Sequence, residues 1–450
     1  MPVKVRSFRV LSGLALLGMA FAYGFLSSQF ELFPHSLIRG TVVRLSQVLQ
    51  KNGDSPAGFW VSVDDAMSSG DLLSEEQLER LRGLGYLSGY KEAGGGTGLL
   101  AHDKTRSYQG YNFYSSGHAP EAILMDMDGA VIHTWQYEPW DAWHDDGGAL
   151  VGNAHDYWRR AYLLPNGDIL AIYEGLSLVK LDKDSNLIWE YSGSPHHDLQ
   201  VMEDGSIYVL TRQLGRRIEG VAEGEPIVED FVTILDASGK EKRRISLLDA
   251  VANSEYSSLL DTNEVDFDPQ GDSFDIFHTN TLEVLDGRLA PSNPAFAEGN
   301  LLISLRNVSA AAVVDIEQET VVWALRGMWK LPHQPTILPN GNLLVFDNLG
   351  DRGQSRVVEL SPFTQAIEWE YKGDETQPFR SPILGSNQRL PNGNTLISDS
   401  VGGRAFEVTA ENEIVWEFLN PQRAGSNREL IAVIPELIRL PPDFPLDWTQ

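Results

Sequence analysis

A chain of 450 residues without one cysteine has no disulfide framework, no thiol nucleophile and no Cys-ligated zinc or iron–sulfur centre. Its hydrophobic share of 42%, with 10% aromatics, suffices for a large core in one repeat domain or two ordinary ones. The formal charge of −28 argues against nucleic acid or an anionic membrane surface as a partner, because both select a basic footprint.

Lys4, Arg6 and Arg9 precede an apolar run over residues 10–26 that only Ser12 and glycines interrupt. Two readings fit it. Ala20-Phe21-Ala22 resembles a signal-peptidase site, and about 17 residues reach the lower limit for a bilayer span. Phe30, Leu32 and Phe33 carry the apolar character past that site, which favours an uncleaved transmembrane helix over residues 1–27. Positive charge ahead of it predicts a cytoplasmic N-terminus and an exported remainder, on the periplasmic side of the inner membrane in a Gram-negative cell. Residues 28–104 read as a short helical stalk and linker. Residues 37–49 have apolar positions at helical spacing, Ser74 and Gln77 make a capping-box start, and Gly94-Gly95-Gly96 is a linker.

Two linked patterns recur over residues 105–425. One is a turn followed by a hydrophobic strand: PNGDILAI from Pro165, DGSIYVL from Asp204, GNLLISL from Gly299, PNGNLLVF from Pro339 and PNGNTLI from Pro391. The other is a strand, a polar turn and a strand that often ends in tryptophan, at Trp135, Trp189, Trp323, Trp369 and Trp416. Asn-Gly and Asp-Gly supply the positive φ that tight hairpins need. Six such units of about four strands, the third longer and none separated by helical crossovers, predict an all-β, six-bladed β-propeller with a C-terminal tail over 426–450. The tryptophans are expected to pack between blades.

Register turns the repeat into a site. His197, His278 and His333 each open a strand, eight or nine residues before a turn glycine: Gly205, Gly287 and Gly341. Arg159 takes the equivalent place before Pro165. Arg306 lies seven residues beyond Gly299, and the same offset gives Glu174, Arg212, Asn348 and Ser400. In a propeller such positions converge on one funnel. Strand alternation turns His196 away from His197.

A lone histidine at a strand start is usually structural, but three in register with an arginine point to chemistry. Neutral imidazoles could ligate a transition metal, yet the arginine would repel it and no carboxylate is patterned with all three. Imidazoles with a guanidinium instead suit binding and transfer of a tetrahedral oxyanion such as a sulfate or phosphate ester. No nucleotide-binding loop is present. Asp266, Asp268, Asp272 and Asp275 resemble a calcium loop without its twelve-residue pattern, so a solvated loop is the favoured reading. His144 and His155, in a Trp-rich stretch, suit either the funnel mouth or a structural loop.

GYNFYSSGHAPEAILMDMDGAVIHTW from Gly110, HHD at 196–198, His278-x-Asn280, SLRNVSAAAVVDIE around Arg306, and His333 followed by ILPNGNLLVFDNLGDR resemble the bacterial arylsulfate sulfotransferases over about residues 108–420. That family consists of six-bladed propellers that move a sulfuryl group from an aryl sulfate ester to a phenol without a nucleotide donor. The resemblance implies that His333 is the nucleophile, transiently sulfated at a ring nitrogen. Arg306, His197 and His278 would hold the sulfuryl oxygens and stabilise the leaving phenolate, one histidine serving as acid and base. Asn280, His196 and Asn348 would bind substrate. The exchange would be ping-pong, with no cofactor and no metal, and with an aryl sulfate donor and a phenolic acceptor as partners. The segment PHQP lacks the aspartate that often follows the family's histidine, and the anchor and stalk stand where the family carries a separate β-domain. A non-catalytic binding or assembly subunit of a membrane complex is the alternative, and hydrolysis of the ester a third. A homo-oligomer and a membrane-complex subunit both stay open.

Overall fold

In the computed structural model of the chain, the described residues are 88–138, 156–216, 227–260, 275–351, 353–374, 377–425 and 427–449. The expected anchor, the cap at Ser74, and His144, His155, Asp266, Asp268 and Asp272 lie outside them. No helix among the described residues is long and apolar enough to cross a membrane.

These residues are mostly β, in antiparallel meanders that resemble a propeller. Sheets of four strands follow one another, led by Arg160–Leu163, Pro195–Val201, Thr279–Val284, His333–Ile337 and Ser386–Arg389. The first sheet takes its leading strand, Leu437–Leu440, from the far end of the chain, beside Tyr111–Ser115. Residues 426–450 are therefore no tail. Three strands from the first repeat would leave an open edge, and this fourth covers it. Likewise Gly98–His102 adds a fifth strand to the sixth sheet, and Gly89–Glu92 pairs with Leu430–Ala432, so the expected stalk boundary at 104 moves back.

Each pair of consecutive sheets shares one apolar layer, the sixth and first included. The tryptophans pin these layers. Indole N–H groups reach a turn carbonyl of the next sheet: Trp135 to Gly167, Trp189 to Ala237, Trp369 to Ala410 and Trp416 to Met127, at 3.0–3.3 Å. An indole whose ring is apolar and whose single donor is satisfied fits such a seam. One helix, Leu247–Ala252, capped by Ser246, follows the third sheet and buries Leu247, Leu248, Ala250 and Val251. It forms part of the longer third repeat, which carried no helical expectation.

Leading strands also have an inner edge with backbone donors to satisfy. Side chains of the preceding sheet do so. Asp198 Oδ2 accepts from Leu282 N and Gln200 Oε1 from Val284 N. Thr281 Oγ1 accepts from Gln334 N, Glu283 Oε2 from Ile337 N, and Gln388 Oε1 from Arg439 N. Polar residues on these strands thus hold adjacent sheets in register.

Candidate active site

The three histidines sit where their leading strands are distorted. His197 and His278 adopt φ of 54° and 47°, and after His333 it is Gln334 that has φ 47°. The left-handed region is uncommon for residues with a Cβ, and such strain collects at functional sites. Pairing shifts at each place: between Pro195 and Leu199, between Thr279 and Thr281, and between His333 and Thr336. These bulges re-aim the side chains.

They also overturn the expected alternation. His196 and His197 do not diverge: their Nδ1 atoms are 2.9 Å apart, and the His197 ring lies edge-on to His278 with centroids 4.9 Å apart. His196, expected to bind substrate, directs its nitrogens at His197 and at Asp230, 3.6 Å from Nε2. His197 in turn lies 3.3 Å from Oε1 of Glu174, whose other oxygen accepts from His197 N and whose charge is shared with Arg212 at 3.4 Å. His278 is held from behind by Asp275, through Nδ1 at 2.5 Å and its backbone N at 3.0 Å. Asp275, read from the sequence as part of a solvated loop, is buried. Burial would raise its pKa, but the charge of His278 and the bonds from it bring the carboxyl below the usual carboxylate range.

His333 has one defined tautomer. Nδ2 of Asn348 donates to the carbonyls of Ser381 and Leu384 at 2.7 and 2.6 Å, which fixes the amide so that Oδ1 faces His333 Nδ1 at 2.8 Å. An amide oxygen only accepts, so Nδ1 carries the proton and Nε2 a lone pair. That Nε2 is buried, with no hydrogen-bond partner among the described residues. Burial first, then the charges of Arg306 and Arg159, holds the imidazole well below the ordinary histidine pKa, against a smaller opposing effect of Asn348. The ring is a neutral base near neutral pH. Asn348 and Asn280, both expected as substrate ligands, are engaged otherwise. Asn348 orients His333, while Asn280 Nδ2 and Ser304 Oγ both donate to the carbonyl of Pro332, just before it, at 2.9 Å.

Arg306 is buried, and its Nη1 donates to Asn307 Oδ1 at 2.8 Å; Asn307 donates onward to the Asp275 carbonyl. Arg159 and Arg212 are buried too, and their charges act on His197 together with those of His278 and His196, adding to burial in keeping that ring neutral. Both arginines stand at register positions that the repeat names, but a repeat does not say which side chains touch the histidines. Ser400, at the same offset, donates to the Pro435 carbonyl and is structural.

Glu174, His196 and His197 offer ligand atoms within 4.8 Å of one another, close enough for a metal ion. A proton shared by the two imidazoles and the adjacent arginines oppose a dication there. The arrangement of neutral imidazole, guanidinium and oriented donors instead matches transfer of a tetrahedral anion.

No curated protein matches the chain. Among solved structures, a Bacteroides caccae protein of unknown function is 13% identical and covers 73% of this chain and 98% of its own, at a TM-score of 0.47. A streptogramin B lyase is 13% identical, with 79% and 98% covered and a TM-score of 0.41. The β-propeller domain of Myceliophteria thermophila Cps50 (Swd1) is 11% identical, with 74% and 89% covered and a TM-score of 0.40. The sequence pattern of the arylsulfotransferases (ASST) matches residues 160–421, more than half of the 450-residue chain, and the chain belongs to that family.

Proposed function

We propose that the chain is a six-bladed propeller, with Leu437–Leu440 closing the ring, that transfers a sulfuryl group from an aryl sulfate ester to a phenol through sulfohistidine at His333. The observation that carries this is the His333 ring: Nδ1 protonated against Asn348, Nε2 a buried lone pair, and the charges of Arg306 and Arg159 acting on it. In the first half-reaction the Nε2 pair attacks sulfur and the S–O(aryl) bond breaks, releasing phenolate. The sulfated ring keeps its Nδ1 proton, because an amide oxygen cannot take it, and so stays cationic and a good leaving group. In the second half-reaction a phenol oxygen attacks sulfur and the S–N bond breaks. Guanidinium and imidazole donors stabilise the equatorial sulfuryl oxygens, each such donor being worth about 10²–10³ in rate.

All four principal side chains, His197, His278, His333 and Arg306, are buried. Exclusion of water favours a phenol over hydrolysis. We also propose that residues 1–27 anchor the protein in the inner membrane with the propeller in the periplasm; Lys4, Arg6 and Arg9 ahead of the apolar run support this.

Incubation with 4-nitrophenyl sulfate and phenol tests the reading. Nitrophenol should appear with phenyl sulfate, and His333→Ala should abolish both. No release across a panel of aryl sulfates, or equal release by the mutant, refutes the mechanism and favours a binding role.

A further inference from the structure

Transfer between two phenols requires an acid in one half-reaction and a base in the other. The His196–His197 contact provides for that switch. Their Nδ1 atoms, 2.9 Å apart, hold one proton between them. Nε2 of His196 faces Asp230 Oδ1 at 3.6 Å, and Asp230 Oδ2 accepts from Thr279 N at 2.7 Å. All three side chains are buried. Both rings are kept neutral, His196 by burial and then the charge of Arg212, His197 by burial and then that of Arg159.

A neutral imidazole carries one N–H, so the two tautomers and the carboxyl are coupled. With Asp230 ionised, His196 directs Nε2–H at the carboxylate and accepts from Nδ1–H of His197, leaving a lone pair on His197 Nε2. With Asp230 protonated, its O–H donates to His196 Nε2, the Nδ1 proton belongs to His196, and His197 presents Nε2–H. We infer that Asp230, His196 and His197 form a relay that lends one proton to the first phenolate and recovers it from the second phenol; this rests on the sulfuryl-transfer reading above.

The protons balance. As the S–O(aryl) bond breaks, Nε2–H of His197 passes to the phenolate oxygen. His197 Nδ1 then takes the proton of His196 Nδ1, His196 Nε2 takes that of Asp230, and a carboxylate remains. When the acceptor phenol attacks the sulfohistidine, its proton enters at His197 Nε2 and the shifts reverse. The 3.6 Å gap exceeds hydrogen-bond reach by only a few tenths of an ångström, and the buried His196 Nε2 has no hydrogen-bond partner among the described residues.

Neighbouring charges keep both forms accessible. Burial, followed by the charge of Asp275, pushes Asp230 up to about 7, against the bonds from Thr279 and the charge of Arg212. Glu174 beside His197 Nδ1 favours a proton on that atom, and Arg212 offsets Glu174. His278, oriented by Asp275, is the competing acid and base.

Nitrogen-15 NMR of histidine-labelled full chain reads the relay directly. His197 Nε2 should change from protonated to bare as pH rises through about 7, and should not do so in Asp230→Asn. A His197 Nε2 that does not titrate, or that titrates alike in the variant, overturns the relay whatever the activity. Kinetics supply a second reading. Asp230→Asn should slow first-turnover release from phenyl sulfate, whose phenolate needs a proton, by about 10²-fold or more, and should slow the first-turnover release of 4-nitrophenolate, which leaves without one, far less. If that selective loss follows Asp275→Asn instead, the proton comes through His278 and the relay is wrong. Failure of the wild-type chain to transfer sulfuryl groups would sink the functional reading, and the NMR titration would still decide the relay.

Discussion

Asn348 and His333 are locked in one orientation because the amide nitrogen is committed to two backbone carbonyls. Asn348→Leu frees the ring and should lower kcat by about 10–100-fold, the range seen when an orienting partner of a functional histidine is lost. Asn348→Asp keeps the acceptor but adds a negative charge. That charge favours imidazolium, so the acid limb of kcat/KM, which in the wild type lies below the ordinary histidine range, should move to higher pH. An unchanged acid limb would show that His333 is not the titrating nucleophile. The turn-to-strand offset already placed Asn348 level with Arg306. Its role was illegible, because the carbonyls that orient it belong to Ser381 and Leu384, more than thirty residues away.

Leading strands combine two requirements: they satisfy backbone donors of a neighbour and they aim rings at a common point. Alternation alone predicts the first and fails at the second, since His197 and His278 are left-handed and their strands bulged. The strand Leu437–Leu440 is instead tied to the sixth sheet through Arg439. Its guanidinium bonds Glu407 Oε2 at 3.0 Å and Asn112 Oδ1 at 2.7 Å, fully buried against Glu407. Arg439→Met would strand the Glu407 charge, at a cost of about 3–5 kcal/mol. Adding Glu407→Gln should return part of that loss, which urea-unfolding midpoints would reveal. If the single variant is as stable as the wild type, the ion pair does not hold the seam between the sixth and first sheets.

At the scale of the described sheets together, the first sheet depends on a strand about 300 residues further along the chain. Removing residues 437–450 exposes the edge of Tyr111–Ser115 and strips Leu437 and Leu440 from the layers on either side. The shortened chain should lose cooperative unfolding and bind a hydrophobic dye, and a sharp, native-like melting transition would contradict this. The longer third repeat, the tryptophan seams and the spacing of His197, His278, His333 and Arg306 could be read from the chain. Turn chemistry and strand periodicity are local, and repetition carries local spacing into convergence at one place. Folding settled the rest: which nitrogen of His333 is bare, that His196 stands with His197, that Asp275 backs His278, and that the last strand completes the first sheet. Each depends on bulges or on partners from other sheets, and no local pattern encodes a contact between residues so far apart.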